Sequence, residues 1–318
     1  MKIAMMLRPY PEPAWKLAAQ AGVEYAVTNL AHLPADQPLT YATLTRLKEL
    51  FATAGLRLLV VESDPFPMDR VKLGLPGRDE DIERYCELLG MMGSLGIPVM
   101  CYNFMAVIGW SRTCTATPTR GGAVTSSFDY EQVRNAPLTD AGVVEEGRLW
   151  ENLAYFLERT VPAAEVAGVK LALHPDDPPV SPLRGIGRII TSPEAADRAL
   201  AMAPSDCHGV ALCQGTFASM GVDVCEVIRR FGRRGKLFFA HFRDIRGGPT
   251  RFEETFHDAG QTDMLQAMRC YKEIGFDGPI RPDHGPTMEG ESNERPGYEM
   301  MGRIFAVGYM KGLLESLG

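Results

Sequence analysis

Short apolar runs and helix-like patterns alternate eight times along the chain, and that alternation limits the fold more than any other feature. Strands read near 2–6, 24–28, 57–62, 98–102, 169–173, 209–213, 236–241 and 279–282. Helical segments read near 13–21, 41–54, 79–95, 145–167, 193–203, 221–231, 262–274 and 297–316. Such alternation builds a parallel sheet with helices packed outside it. Eight pairs are the number that closes a (β/α)₈ TIM barrel. The local signals agree: Ser192-Pro193-Glu194 reads as a capping serine with proline in the first turn. Gly22, Gly55, Gly96, Gly168 and Gly275 stand just past helix ends, where a left-handed residue closes a helix. An open doubly wound sheet would show a Gly-rich phosphate turn after its first strand, whereas that turn reads LRPYPEP. The expectation is one barrel over residues 1–318, a length ordinary for that architecture.

One segment breaks the rhythm. From Asn103 to about Glu145 the chain carries Gly121-Gly122, Pro118, Pro137 and several Ser and Thr, with no helical or strand period. It follows the fourth strand, and a long loop there is expected to be an active-site lid or an insertion.

Composition narrows the function classes. The formal charge of −7 argues against a nucleic-acid surface. No stretch approaches the roughly 18 apolar residues of a membrane span, and MKIAMML, interrupted by Arg8 and Pro9, is too short for a signal-peptide core. Seven cysteines without a CxxC pair do not read as a disulfide framework, so a reducing cytoplasm is the expected compartment. Exposed barrel helices often form dimers or larger assemblies, but no stripe here marks an interface.

His174, Cys213, His241 and Asp283 each stand where one of the last four strands ends. A barrel brings all such ends to one rim, where its active sites lie. Taken singly, each residue has a plainer explanation: a satisfied histidine, a small buried thiol, a turn aspartate. Four in succession point to a shared metal site. The thiolate disfavours Mg²⁺ and Ca²⁺, which leaves Zn²⁺, Fe²⁺, Mn²⁺ and Co²⁺ open. Arg243, two residues past His241, is placed to grip an anionic substrate by its planar fork. His284 follows Asp283 and suits a general base near neutral pH. Tyr298 opens the last helical segment and is a candidate proton donor. His257, after the seventh strand, and His32, after the second, are rim candidates for substrate contact, as are Asn103, Trp110 and Arg112 after the fourth. His208 precedes the sixth strand, at the opposite end, and receives no role.

With these residues placed, the chain resembles the mannonate dehydratase family, of the barrel superfamily that includes xylose isomerase. The resemblance rests on VVES (60–63), CYNFM (101–105), WSRT (110–113), HPDDPP (174–179), CQG (213–215), HFR (241–243), the GxxDM of 260–264, RPDHG (281–285) and PGY (296–298). It implies metal ligation by His174, Cys213, His241 and Asp283, and active-site roles for His284 and Tyr298. It further implies Mn²⁺ as the favoured ion, with Fe²⁺, Co²⁺ or Zn²⁺ as substitutes, and a sugar acid as substrate: loss of water from D-mannonate to give 2-keto-3-deoxy-D-gluconate. Three departures touch substrate-facing loops. The segment after WSRT is shorter than in many members, Pro67 stands where a histidine is common, and Glu253 replaces the first histidine-like position of the strand-seven loop. Isomerase or epimerase chemistry on the same barrel is the rival reading, and a non-catalytic sugar-acid binder is a third.

Overall fold

The computed structural model describes residues 1–318. Its strands are β1 (Lys2–Met6), β2 (Tyr25–Thr28), β3 (Arg57–Glu62), β4 (Val99–Tyr102), β5 (Cys114–Pro118), β6 (Val124–Asp129), β7 (Lys170–Leu173), β8 (His208–Cys213), β9 (Leu237–His241), β10 (Ile245–Gly248), β11 (Arg251–Glu254) and β12 (Pro279–Arg281). Eight of them close a parallel barrel in the order β1-β12-β9-β8-β7-β4-β3-β2. Closure is made by β1 against β12, with Lys2 opposite Pro279 and Ile3 opposite Ile280. The barrel strands read as nearly continuous apolar runs because both of their faces are covered. Inside the barrel stand Ala4, Val27, Val60, Val99, Ala172, Ala211 and Phe239, small residues around one aromatic plug. The larger core lies between the strands and the outer helices; there Phe156 of the helix Glu146–Ala167 packs against Tyr85 and Tyr102.

The expected capping holds. Ser192 accepts a hydrogen bond from the Ala195 N–H at 3.1 Å and starts the helix Pro193–Met202. All five glycines expected past helix ends have positive φ. His208 begins β8, buried, and its Nε2 meets the Tyr102 hydroxyl at 2.7 Å on the outer side of the barrel. No helix is long and apolar enough to cross a membrane.

The segment after β4 departs from expectation. Rather than lacking strands, it supplies β5 and β6, which join β10 and β11 from the loop after β9 in an antiparallel sheet ordered β10-β11-β6-β5. Phe252 of β11 faces Phe128 of β6 in that register, and the two rings pack 5.8 Å apart. Two loops distant in sequence therefore form one small sheet over the rim where the barrel strands end. The region after β8 also differs: a short helix Gln214–Ser219 precedes the helix Val224–Gly232. The last helix is Met300–Ser316 with Glu299 as its cap, so Tyr298 lies before it rather than within it.

Candidate metal centre and active site

The ligand atoms of His174, Cys213 and His241 lie within 4.8 Å of one another. The register explains the meeting: Cys213 ends β8 directly opposite His241, which ends β9. His174 follows β7, and its N–H is held by the Tyr102 carbonyl at 2.7 Å. Asp283, just past β12, brings Oδ2 to 3.8 Å from Cys213 Sγ and 3.6 Å from His241 Nδ1. The four residues expected from strand ends thus converge.

These groups fit a divalent ion. His241 is buried; its Nε2 stands 3.3 Å from Glu62 Oε1 and its Nδ1 3.6 Å from Asp283 Oδ2, and neither approach has hydrogen-bond geometry, an arrangement that is costly unless something else satisfies the ring. His174 Nδ1 lies 2.6 Å from the Pro175 carbonyl, which fixes that nitrogen as the protonated one and leaves Nε2 free to ligate. Burial pushes the His174 imidazole pKa down, despite the nearby charges of Asp283 and Glu62, so the neutral ligating form prevails. Burial acts to raise the Asp283 carboxyl, but Arg281, His284, His241 and Arg243 together hold it well below the usual carboxylate range. Two imidazoles, a thiol and a carboxylate suit Zn²⁺, Fe²⁺, Mn²⁺ or Co²⁺.

Arginines brace this set from behind. Arg243 donates to Asp283 Oδ2 at 2.7 Å, Asp177 Oδ2 at 2.6 Å and the Thr216 hydroxyl at 3.0 Å. Thr216 in turn donates to Cys213 Sγ at 3.1 Å. Arg281 grips Glu62 with two nitrogens, at 2.9 and 2.6 Å, and lies 2.7 Å from Asp283 Oδ1. Burial alone would raise the Glu62 carboxyl, but Arg281 and His241 hold it down at about 2. The path of Arg243 explains the glycine of CQG: a Cβ at Gly215 would run into its guanidinium group.

His284 is fixed on three sides. Its Nδ1 lies 2.7 Å from Glu254 Oε1, while the rings of Trp110 and Tyr298 each pack edge-on at 5.1 Å. The carboxylate sets the tautomer and leaves Nε2, 3.6 Å from Asp283 Oδ1, as the open position. The Tyr298 hydroxyl donates to the same Asp283 oxygen at 3.4 Å. Burial and the Asp283 charge push the Tyr298 hydroxyl pKa up, so it keeps its proton. A cavity of about 790 Å³ opens onto His174, His241, Asp283, His284 and Tyr298, and Asn103 and Trp110 form part of its wall.

Several expected positions are corrected. Arg243 is buried behind the ligands and committed to Asp283 and Asp177, so it does not reach the cavity to grip an anion. Arg112 is likewise outside it, paired bidentately with Asp177 at 2.6 and 2.9 Å and also with Glu254. His257 is fully buried away from the cavity, where burial lowers its pKa to about 4. His32 is exposed on a short turn, although its neighbours Ala31 and Leu33 line the opening. Four residues missed as site components are Glu62, Asp177, Glu254 and Arg281. Three lay inside motifs already singled out (VVES, HPDDPP, RPDHG), whereas Glu254 had no signal beyond a carboxylate in a short polar strand.

The sequence profile of D-mannonate dehydratase (UxuA) matches residues 14–141 and 138–318. The chain belongs to the mannonate dehydratase family. It is 36% identical to the mannonate dehydratase of Thermotoga neapolitana over 331 aligned positions, which cover 93% of this chain and 91% of that one. The crystal structure of mannonate dehydratase from Streptococcus suis serotype 2 superposes with a TM-score of 0.90 at 33% identity, covering 99% and 93% of the two chains. A xylose isomerase domain protein from Planctomyces limnophilus shares the fold alone, with a TM-score of 0.63 at 13% identity over 99% and 97%. The (β/α)₈ barrel is therefore of the xylose isomerase-like kind, and the family is one of hydro-lyases.

Proposed function

We propose that this mannonate dehydratase family member removes water from D-mannonate to give 2-keto-3-deoxy-D-gluconate, with Mn²⁺ as the preferred ion and Fe²⁺, Co²⁺ or Zn²⁺ as substitutes. His174, Cys213, His241 and Asp283 would hold it. The observation that carries the reading is that His284 Nε2 and the Tyr298 hydroxyl flank one oxygen of Asp283, at the edge of a cavity that His174, His241 and Asp283 also line. The difficult step is loss of the proton from carbon two, beside a carboxylate that resists further negative charge. A divalent ion in this site supplies the positive charge that makes that loss possible.

The protein's own groups do the rest. His284, with Nδ1 anchored on Glu254, takes the carbon-two proton on Nε2. The C–H electron pair becomes the double bond between carbons two and three, and the bond from carbon three to its hydroxyl breaks. Tyr298, protonated at neutral pH, gives its proton to the departing hydroxyl, which leaves as water. The enol then takes a proton at carbon three and becomes the ketone. Arg281 borders the cavity but is given over to Glu62 and Asp283, so its part is to hold those carboxylates in place. Asn103 and Trp110, on the cavity wall, are the substrate contacts.

His284→Asn and Tyr298→Phe test the assignment. Each is expected to lower kcat about 10²-fold or more with metal content unchanged, read by turnover beside metal analysis. Full activity in His284→Asn would remove the proposed base.

A further inference from the structure

Lys72 sits on the short helix Asp69–Leu73 and is only 2% exposed, rare for an ammonium group unless it is paired. Its Nζ donates to Asp64 Oδ2 at 2.6 Å, Asn103 Oδ1 at 2.9 Å and the Met105 carbonyl at 3.1 Å. All three of its protons are thereby committed. Lys72 does not reach the cavity, whereas Asp64 and Asn103 both line it.

The chemistry of these bonds decides what the wall offers. Asn103 Oδ1 also receives the Met105 N–H at 3.1 Å. Two groups that only donate converge on this atom, so it is the carbonyl oxygen, and the Nδ2 amino group is left with its donors unspent. Asp64 gives Oδ2 to Lys72, and its other oxygen makes no hydrogen bond within the protein. A donor and an acceptor are therefore held around one buried nitrogen. A hydroxyl group satisfies both at once, accepting from the amide and donating to the carboxylate. A ligand carboxylate would instead meet the charge of Asp64. The loop is held firmly: Asp69 Oδ1 accepts from the Val107 N–H at 3.2 Å, and Val107 keeps φ at 60°, which a β-branched residue rarely adopts.

We propose that Asp64 and Asn103, set by Lys72, form a hydroxyl-recognition subsite for the sugar acid. Asp64 and Asn103 come after β3 and β4, whereas the metal donors stand at or just past the ends of β7, β8, β9 and β12. Because His284, Tyr298 and the metal donors are assigned to carbons two and three, the subsite is left to read a hydroxyl further along the sugar chain. Asp64 and Asn103 touch the substrate; Lys72 is a positioning residue that acts through them. The inference rests on the dehydratase reading of this cavity.

The test compares D-mannonate with its 4-, 5- and 6-deoxy analogues on wild-type protein, Asn103→Ala and Lys72→Met. Turnover is read as kcat and KM, and affinity by calorimetry in a His284→Asn background. Wild type is expected to lose about tenfold or more on one deoxy acid, mostly in KM. Asn103→Ala should lose a similar factor on D-mannonate itself and distinguish that analogue by less than about threefold. Melting temperature and metal content of Asn103→Ala should match wild type, and it carries the test alone if Lys72→Met folds poorly. Equal handling of all the acids by wild type, or undiminished discrimination by Asn103→Ala, overturns the subsite. Absence of turnover on every acid, with the deoxy difference still present in affinity, overturns the dehydratase reading and supports the subsite.

Discussion

His284 shows how much of the proposed base is made by its neighbours. Glu254 holds Nδ1 of the imidazole and two aromatic edges fix its plane, which is what the proposed role of base requires. Glu254→Gln keeps the shape but removes the charge. It should lower kcat about 10- to 100-fold with KM little changed; steady-state kinetics showing a shift in KM alone would assign Glu254 to substrate binding instead. Gly215 is the corresponding detail on the metal side. Gly215→Ala places a methyl against Arg243 and should force that guanidinium away from Asp283. The expected result is a loss of about 1–3 kcal/mol of stability together with weaker metal binding, measured by denaturant melts and metal titration. Unchanged metal affinity would show that Arg243 is not needed to orient Asp283. At this scale the sequence was only partly legible. The four donors could be found because a strand end has a defined direction in a barrel. Arg243 and Arg112 could not be placed, because their partners Asp177 and Glu254 are distant in sequence and come into reach only through folding.

Elements carry the next level of the account. The barrel strands were legible because each is a buried apolar run, and five of the eight lead to a helix closed by a glycine of positive φ, Gly22, Gly55, Gly96, Gly168 or Gly275. The upper sheet was not: β5 (CTATP), β10 (IRGG) and β11 (RFEE) are short and largely polar, and the sheet is joined only where β11 pairs with β6, more than a hundred residues away. Glu254 follows from that sheet. In β11, Phe252 and Glu254 point to one buried side while Glu253 is more open, so the alternation of a four-residue strand aims the carboxylate at His284. His208 tests the side-chain contact between the start of β8 and Tyr102 at the end of β4, which reaches past the intervening β7. Burial lowers its pKa to about 4, whereas an unfolded histidine titrates near 6.5. The folded form therefore resists a proton that the unfolded chain accepts. Its contribution is whole above about pH 6.5 and declines as pH falls from there towards 4. Between pH 7.5 and 5 the decline amounts to about 2 kcal/mol. Urea melts should show a smaller loss over that interval in His208→Gln than in wild type, whose Tyr102 contact is otherwise retained; equal losses would mean that His208 is already solvated in the folded state.

The whole molecule separates stability from chemistry. Its main core lies between barrel and helices, while the donors cluster at one rim, so the fold does not depend on the ion. Chelation should abolish turnover and lower the melting temperature without unfolding the chain. Ion added back to about 100 times its Kd should restore about 2.7 kcal/mol, read by thermal melts across a metal titration. Unfolding on chelation would make the ion structural. The central claim is the reaction itself. The most direct measurement is an anaerobic incubation of Mn²⁺-loaded protein with a panel of aldonic acids, D-mannonate included, with the products identified by NMR. The account predicts a 2-keto-3-deoxy acid and one released water from D-mannonate. An epimerised or isomerised acid with all its oxygens retained, from protein verified to hold the ion, would contradict it.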